Sequence, residues 1–199
     1  MFGRYPAKIA TIGVGAVLGL AVPALAHTGP TPIAGGLLSG IAHPLSGLDH
    51  LLVMLGVGLW AAQLGGRAIW LLPATFVATM LIGAGLALNG VPLPAVEAGI
   101  AASVVAIGLL IALARRLPAA VNLALVALFA VFHGHAHGHE LAIGASWLEY
   151  LSGFALTTTG LHAVGIALGV SIMRGWANTP VRAAGAAMAT LGVGMLVTG

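Results

Sequence analysis

The chain has 199 residues, 60% of them hydrophobic and only 6% charged, with a mean hydropathy of +1.10. A water-soluble domain carries about a quarter charged residues, so a soluble enzyme, a disordered chain and a nucleic-acid binder are excluded at the outset. The pI of 10.2 reflects scarce acids rather than abundant bases. With four Asp and Glu against seven Lys and Arg, no basic patch exists to neutralise phosphates. There is no cysteine, which removes disulfides, thiolate zinc sites and iron–sulfur clusters. What remains is an all-α, multispanning membrane bundle of one domain. A passive apolar bundle does not call for the eight histidines.

In chain order, residues 1–26 read as an export signal. Arg4 and Lys8 form a short basic region, and Ile9 to Leu20 an apolar one. Pro23 breaks the run before Ala24-Leu25-Ala26, an A-x-A cleavage site. The alternative is an uncleaved first membrane helix. Cleavage would leave residues 27–199 as a single transmembrane domain beginning at His27, where a free amine beside an imidazole can chelate a transition metal.

Six spans follow, at about 46–64, 68–89, 95–114, 119–137, 146–173 and 180–198. Each comes close to the roughly 20 residues needed to cross the hydrocarbon. The stretch 31–42 is too short to span and reads as a short helix or re-entrant piece ended by Pro44. Gly36-x-x-x-Gly40 and Gly165-x-x-x-Gly169 have the spacing that lets helices approach closely.

Topology follows from the basic residues. Beyond residue 26 these are Arg67, Arg115, Arg116, Arg174 and Arg182. All fall on one side if the mature N-terminus is outside, which satisfies the positive-inside rule and puts both termini in the periplasm. On that map Asp49, Glu97, Glu140 and Glu149 lie at outer helix ends. So do His27, His43, His50, His133, His135, His137 and His139, and only His162 sits near mid-span. Glu97 and Glu149 occupy first helical turns, where the helix dipole alone accounts for an acid.

Two constellations carry chemistry. In His43-Pro44-Leu45-Ser46-Gly47-Leu48-Asp49-His50, Pro44 is expected to hold His43 out of helix. Ser46 is expected to cap the next helix, with Asp49 as a capping-box acid. Capping leaves two histidines unexplained. His, Asp and His converging on one point offer the nitrogen and oxygen donors that suit a divalent first-row metal. Met54, one turn beyond His50, is expected to pack rather than ligate.

The second is Phe132-His133-Gly134-His135-Ala136-His137-Gly138-His139-Glu140. On a helix His133, His137 and Glu140 share one narrow stripe. His135 and His139 lie on about the opposite face, expected to meet loop, headgroups or water. An extended His-x-His loop capturing metal loosely is the alternative. His162 follows Thr157, Thr158 and Thr159, and an ionisable residue at membrane depth is a functional candidate. Simple hydrogen bonding across helices is its bland reading. Asn122, almost three turns before His133, could continue a polar path.

The run from Gly40 to Met54 resembles the signature of the HupE/UreJ family, and the run Phe132 to Glu140 resembles its second signature. The Leu161-His162 pair fits as well, and the likeness extends over essentially the whole chain. The resemblance implies a secondary nickel permease of the kind associated with hydrogenase and urease gene clusters. Its His43-x5-Asp49-His50 motif is similar to that of the larger nickel/cobalt transporters. Residue by residue it implicates His43, Asp49, His50, His133, His137 and Glu140; His135 and His139 stand at positions outside the pattern. The expected protein is a carrier and not an enzyme, in the bacterial inner membrane, with Ni²⁺ or Co²⁺ as substrate and no tightly bound cofactor. The lipid bilayer is the other expected partner, and a homo-oligomer is left open. His162 would be a deeper station, and His27 would assist capture. No Walker loop is present for ATP hydrolysis. The rival readings are a channel for ammonia or urea and a haem-binding anchor. The first makes the clustered carboxylates unnecessary. The second needs two histidines at matching depth, whereas His162 alone lies mid-span. A metalloprotease lacks its general base, because position 134 is glycine.

Mass spectrometry of protein expressed in its host is expected to find a mature chain starting at His27. Retention of Met1 would remove both the amine–imidazole pair and the basis of the topology.

Overall fold

The computed structural model describes residues 36–139, 146–176 and 178–198. The expected signal peptide, His27, Glu140 and the side chain of His139 lie outside the described residues. The described chain is all helical: α1 (Leu37–Ser46), α2 (Leu48–Leu64), α3 (Ala68–Leu88), α4 (Val96–Leu113), α5 (Ala119–His139), α6 (Trp147–Trp176) and α7 (Thr179–Thr198).

Five of these, α3 to α7, are long and apolar enough to cross a membrane. Their outward residues suit that solvent. Trp70 is 76% exposed and Leu156 is 62% exposed, a burden that lipid relieves and water would not. The expected first span differs. With 17 residues, α2 rises only about 25 Å, short of the roughly 30 Å hydrocarbon. Together with α1 it forms a bent pair, the two axes meeting at 87°. Among the described residues there are therefore five candidate spans, or six when the bent pair counts as one.

Pro44 does not end the short helix. It lies inside α1, which runs on to Ser46 and stops at Gly47, whose φ of −98° and ψ of 125° are extended. Proline removes only one hydrogen bond near a helix end. Docking on α6 offsets that loss: Thr157 Oγ1 donates to the Ile41 carbonyl at 3.0 Å, and Gly40 lies flat against the Tyr150 carbonyl.

The other helices pack in close pairs, α3 on α5, α4 on α7 and α2 on α6, with α2 also touching α1, α3, α4 and α7. The core around α2 contains Val53, Met54, Val57, Trp60, Phe76, Met80, Val104, Ile107 and Phe154. Met54 is fully buried there, as its packing role required. Gly165 and Gly169 do lie against α2, beside Gly58 and Ala62. The tightest approach is α5 on α3. A Cβ on Gly134 would overlap the Met80 carbonyl, and one on Gly138 would stand 2.6 Å from the Ala84 carbonyl.

At one end of the bundle the arginines gather. Gln63 Nε2 donates to the Ile111 carbonyl at 3.1 Å and to Asn178 Oδ1 at 3.0 Å. Arg182 Nε donates to the Ala112 carbonyl at 2.7 Å. These bonds tie α2, α4 and α7 together where Arg67, Arg115, Arg116 and Arg174 also lie. Asn122 belongs to this end. Its Nδ2 donates to the Leu117 carbonyl at 3.2 Å, in the first turn of α5, far from His133.

Gly134→Ala should therefore force α3 and α5 apart and lower stability by about 1–3 kcal/mol. Gly85→Ala, whose added Cβ meets nothing within 4 Å, should be neutral or stabilising by up to about 1 kcal/mol. Unfolding of purified protein in mixed detergent measures both. Equal effects would mean that the α3–α5 contact is looser than described.

Candidate functional site

At the end opposite the arginines, α1, α2 and α5 present histidines to one another. The α5 stripe is set by helical periodicity. Gly134 and Gly138 face α3, which turns His133 and His137 towards α1 and α2. The His50 ring centroid lies 4.3 Å from that of His137 and 4.7 Å from that of His133. The His43 ring lies 4.4 Å from His137 on its other side. Each of these pairs meets edge to face. Thus His43, His50, His133 and His137 form one continuous cluster from three helices. His50, His133 and His137 are buried, while His43 and Asp49 are half-buried at its rim.

Aromatic side chains wall the cluster. Phe154 lies tilted against His137 at 4.3 Å, Tyr150 lies 6.0 Å from His43, and Phe76 lies 5.7 Å from His133. Phe76 also meets His162 edge to face at 5.1 Å. It therefore stands between the cluster and the deeper histidine. His162 is buried, and neither of its ring nitrogens has a hydrogen-bond partner. Bonding across helices does not explain it. Beside it on α6, Thr158 Oγ1 lies 3.8 Å from the Met80 sulfur.

Asp49 and Ser46 do not form the expected capping box. No side chain caps the N-terminus of α2, and Ser46 Oγ turns back to donate to the His43 carbonyl at 2.7 Å. The Asp49 carboxylate instead accepts from the His50 backbone N–H and from His50 Nδ1, both at 2.7 Å. This is possible because position 47 is glycine. A Cβ there would come within 2.7 Å of Asp49 Oδ1 and 3.0 Å of His50 Nδ1. A carboxylate only accepts, so Nδ1 carries the proton and Nε2 keeps its lone pair. His50 Nε2 is buried and has no hydrogen-bond partner. A carboxylate that orients a histidine in this way is the usual companion of a metal-ligating imidazole.

Of the surroundings expected for His135, the structure supplies the loop. The residue is buried, 2% exposed, and its Nε2–H donates to the Val91 carbonyl at 2.8 Å. The face opposite His133 meets the α3–α4 connection rather than water or headgroups, so His135 ties that turn to α5. Helical periodicity gives the angle between two stripes and is silent about what lies beyond each. Glu149 stands in the first turn of α6, where Ser146 Oγ accepts from its backbone N–H at 3.3 Å.

The motifs did not reveal Ser103, on α4. Its hydroxyl is fully buried and lies 2.9 Å from His133 Nε2. A lone serine in an apolar helix gives no distinctive sequence signal.

Chemically the cluster is rich in nitrogen donors with one carboxylate beside it, the donor set of a borderline divalent ion. Among the described residues no group of three or more histidines and carboxylates is already disposed to hold a metal. The rings contact one another edge-on and would have to turn to share one ion.

The model of the family described as HupE / UreJ protein matches residues 15–195. The chain is also similar to Protein HupE of Rhizobium leguminosarum bv. viciae, 44% identical over 179 residues, which is 89% of this chain and 93% of that one. No solved structure matches.

His135→Ala should lower stability by about 1 kcal/mol, because it removes the part-buried hydrogen bond that ties the Val91 carbonyl to α5. Thermal unfolding in detergent measures this. A variant as stable as the parent would return His135 to the exterior.

Proposed function

The chain belongs to the HupE/UreJ family, and from that premise we propose that it is a permease importing Ni²⁺, with Co²⁺ as the second substrate, across the bacterial inner membrane. The observation that carries this reading is the meeting of His43, His50, His133 and His137 at the end of the bundle away from the arginines. By the positive-inside rule that end faces the periplasm, which also puts the mature N-terminus and the C-terminus there.

A hydrated dication is drawn to an arginine-free mouth carrying Asp49 and, by the family resemblance, Glu140. His43 and Asp49, half-exposed, meet it first. Rotation of the rings about their side-chain torsions then lets His50, His133 and His137 replace part of its water. Imidazole suits Ni²⁺ and Co²⁺ better than the hard Mg²⁺. Passage beyond the cluster leads past Phe76 to His162. His27 adds a further donor at the mouth. The metal so delivered would serve maturation of a hydrogenase or urease. The protein acts as a carrier and not as an enzyme.

Protonation competes with the metal for the same lone pairs. The charged imidazole cannot ligate, so uptake should be full at neutral pH and fall as the medium is acidified.

Uptake of labelled Ni²⁺ into liposomes holding the purified protein, with Co²⁺, Zn²⁺ and Mg²⁺ as competitors, tests the reading. His43→Ala, Asp49→Ala, His50→Ala, His133→Ala and His137→Ala should each reduce uptake severely while leaving insertion intact. The motive is that a missing ligand strands a partly dehydrated dication in apolar surroundings. Competition should be strong with Co²⁺ and weak with Mg²⁺. Wild-type protein that moves no nickel, or well-folded variants of near-normal uptake, would sink it.

A further inference from the structure

Ser103 lies on α4, away from both histidine motifs, and is completely buried. Its Oγ is 2.5 Å from the Ile100 carbonyl and 2.9 Å from His133 Nε2. A hydroxyl has one proton to give. A carbonyl can only accept, and two oxygen acceptors held at 2.5 Å without a proton between them would repel, so the proton goes to Ile100. The Ser103 oxygen must then accept from the other side, which requires the proton of His133 to sit on Nε2. His133 Nδ1 is left with its lone pair, and it is buried with no hydrogen-bond partner.

We infer that Ser103 is a positioning residue that fixes the tautomer of His133, so that Nδ1, and not Nε2, is the nitrogen offered to the substrate ion. The inference rests on the metal-transport reading given above. It makes Ser103 the counterpart of Asp49. Asp49 takes the proton of His50 on Nδ1 and leaves Nε2 bare, whereas Ser103 takes the proton of His133 on Nε2 and leaves Nδ1 bare. The two rings lie 4.7 Å apart, each held from behind. With the tautomers fixed in advance, neither ring has to exchange a proton before it can ligate. The neutral serine makes a weaker anchor than the carboxylate, which suits a transported ion that must also leave.

The test is made on the full-length protein in detergent micelles, with nitrogen-15 in its histidines and no metal added, at a pH where imidazoles are neutral. Long-range nitrogen–proton correlations distinguish the two tautomers directly. His133, identified by the signal lost in His133→Ala, should be protonated at Nε2. In Ser103→Ala it should change to a mixture or to the other tautomer, and Ser103→Thr, which keeps the hydroxyl, should restore the original state. In liposomes Ser103→Ala should raise the KM for Ni²⁺ about tenfold or more, with Ser103→Thr close to wild type. An unchanged His133 tautomer in Ser103→Ala overturns the assignment, as does an unchanged KM. If the wild type moves no nickel, the transport reading fails, and the tautomer measurement still decides what Ser103 does to His133. If neither substitution at Ser103 folds, the site tolerates no change of side-chain shape, the role of Ser103 is packing, and the positioning role is lost.

Discussion

The approach of α5 to α3 is the constraint on which the histidine cluster depends. Two backbones can come this close only where no side chain intervenes, and Gly134 and Gly138 supply that face. Because a helix turns about 100° per residue, fixing glycine at these two positions also fixes where their neighbours point. His133 and His137 are rotated towards α1 and α2, and His135 towards the α3–α4 connection. The glycines between the histidines are therefore not spacers. Hydrophobic burial does not drive helix association inside lipid, so contact area and close packing must do so. The same residues that hold the bundle together aim its polar groups.

A second constraint is the segregation of charge. Imidazoles and carboxylates gather at one end and guanidinium groups at the other. The arginine end is closed by hydrogen bonds from Gln63 and Arg182 to carbonyls of α4 and to Asn178. At the histidine end, buried nitrogens on His50 and His133 have no hydrogen-bond partner. Unsatisfied polar atoms are costly in an apolar interior. A protein that needed only stability would replace them with leucine. Bare nitrogens on His50 and His133 are what the proposed exchange of water for protein donors would use.

Much of this was legible in the sequence because the signals are periodic or compositional. Hydropathy located α3 to α7 to within a few residues, and the arginines separated the two ends. The i, i+4 spacing paired His133 with His137. The rest depends on tertiary contacts that spacing cannot reveal. Pro44 reads as a helix stop, yet Thr157 and Tyr150 on α6 hold α1 in helix beyond it. Asp49 reads as a capping-box acid, yet the extended backbone at Gly47 turns it onto the adjacent His50. His135 reads as meeting loop, headgroups or water, and a helix wheel cannot say which, because the α3–α4 turn that covers it is 44 residues away in sequence. Ser103 has no motif at all.

The bend at Gly47 explains the spacing of the first motif. On a straight helix His43 and His50, seven residues apart, would share a face but stand about 10.5 Å apart along the axis. A single imidazole could not touch both. Because α1 and α2 meet at 87°, the motif folds on itself. Both rings then reach His137, at 4.4 Å and 4.3 Å. The break requires a residue without a side chain at position 47, where a Cβ would crowd the Asp49–His50 bond. The last turn of α1 and the first turn of α2 thus act as two arms of one clamp around α5, and the intervening glycine serves both the bend and the carboxylate–imidazole pair. A seven-residue spacing that would be only a helical stripe in a straight segment becomes, through the bend, a way of bringing two donors from consecutive helices to one place.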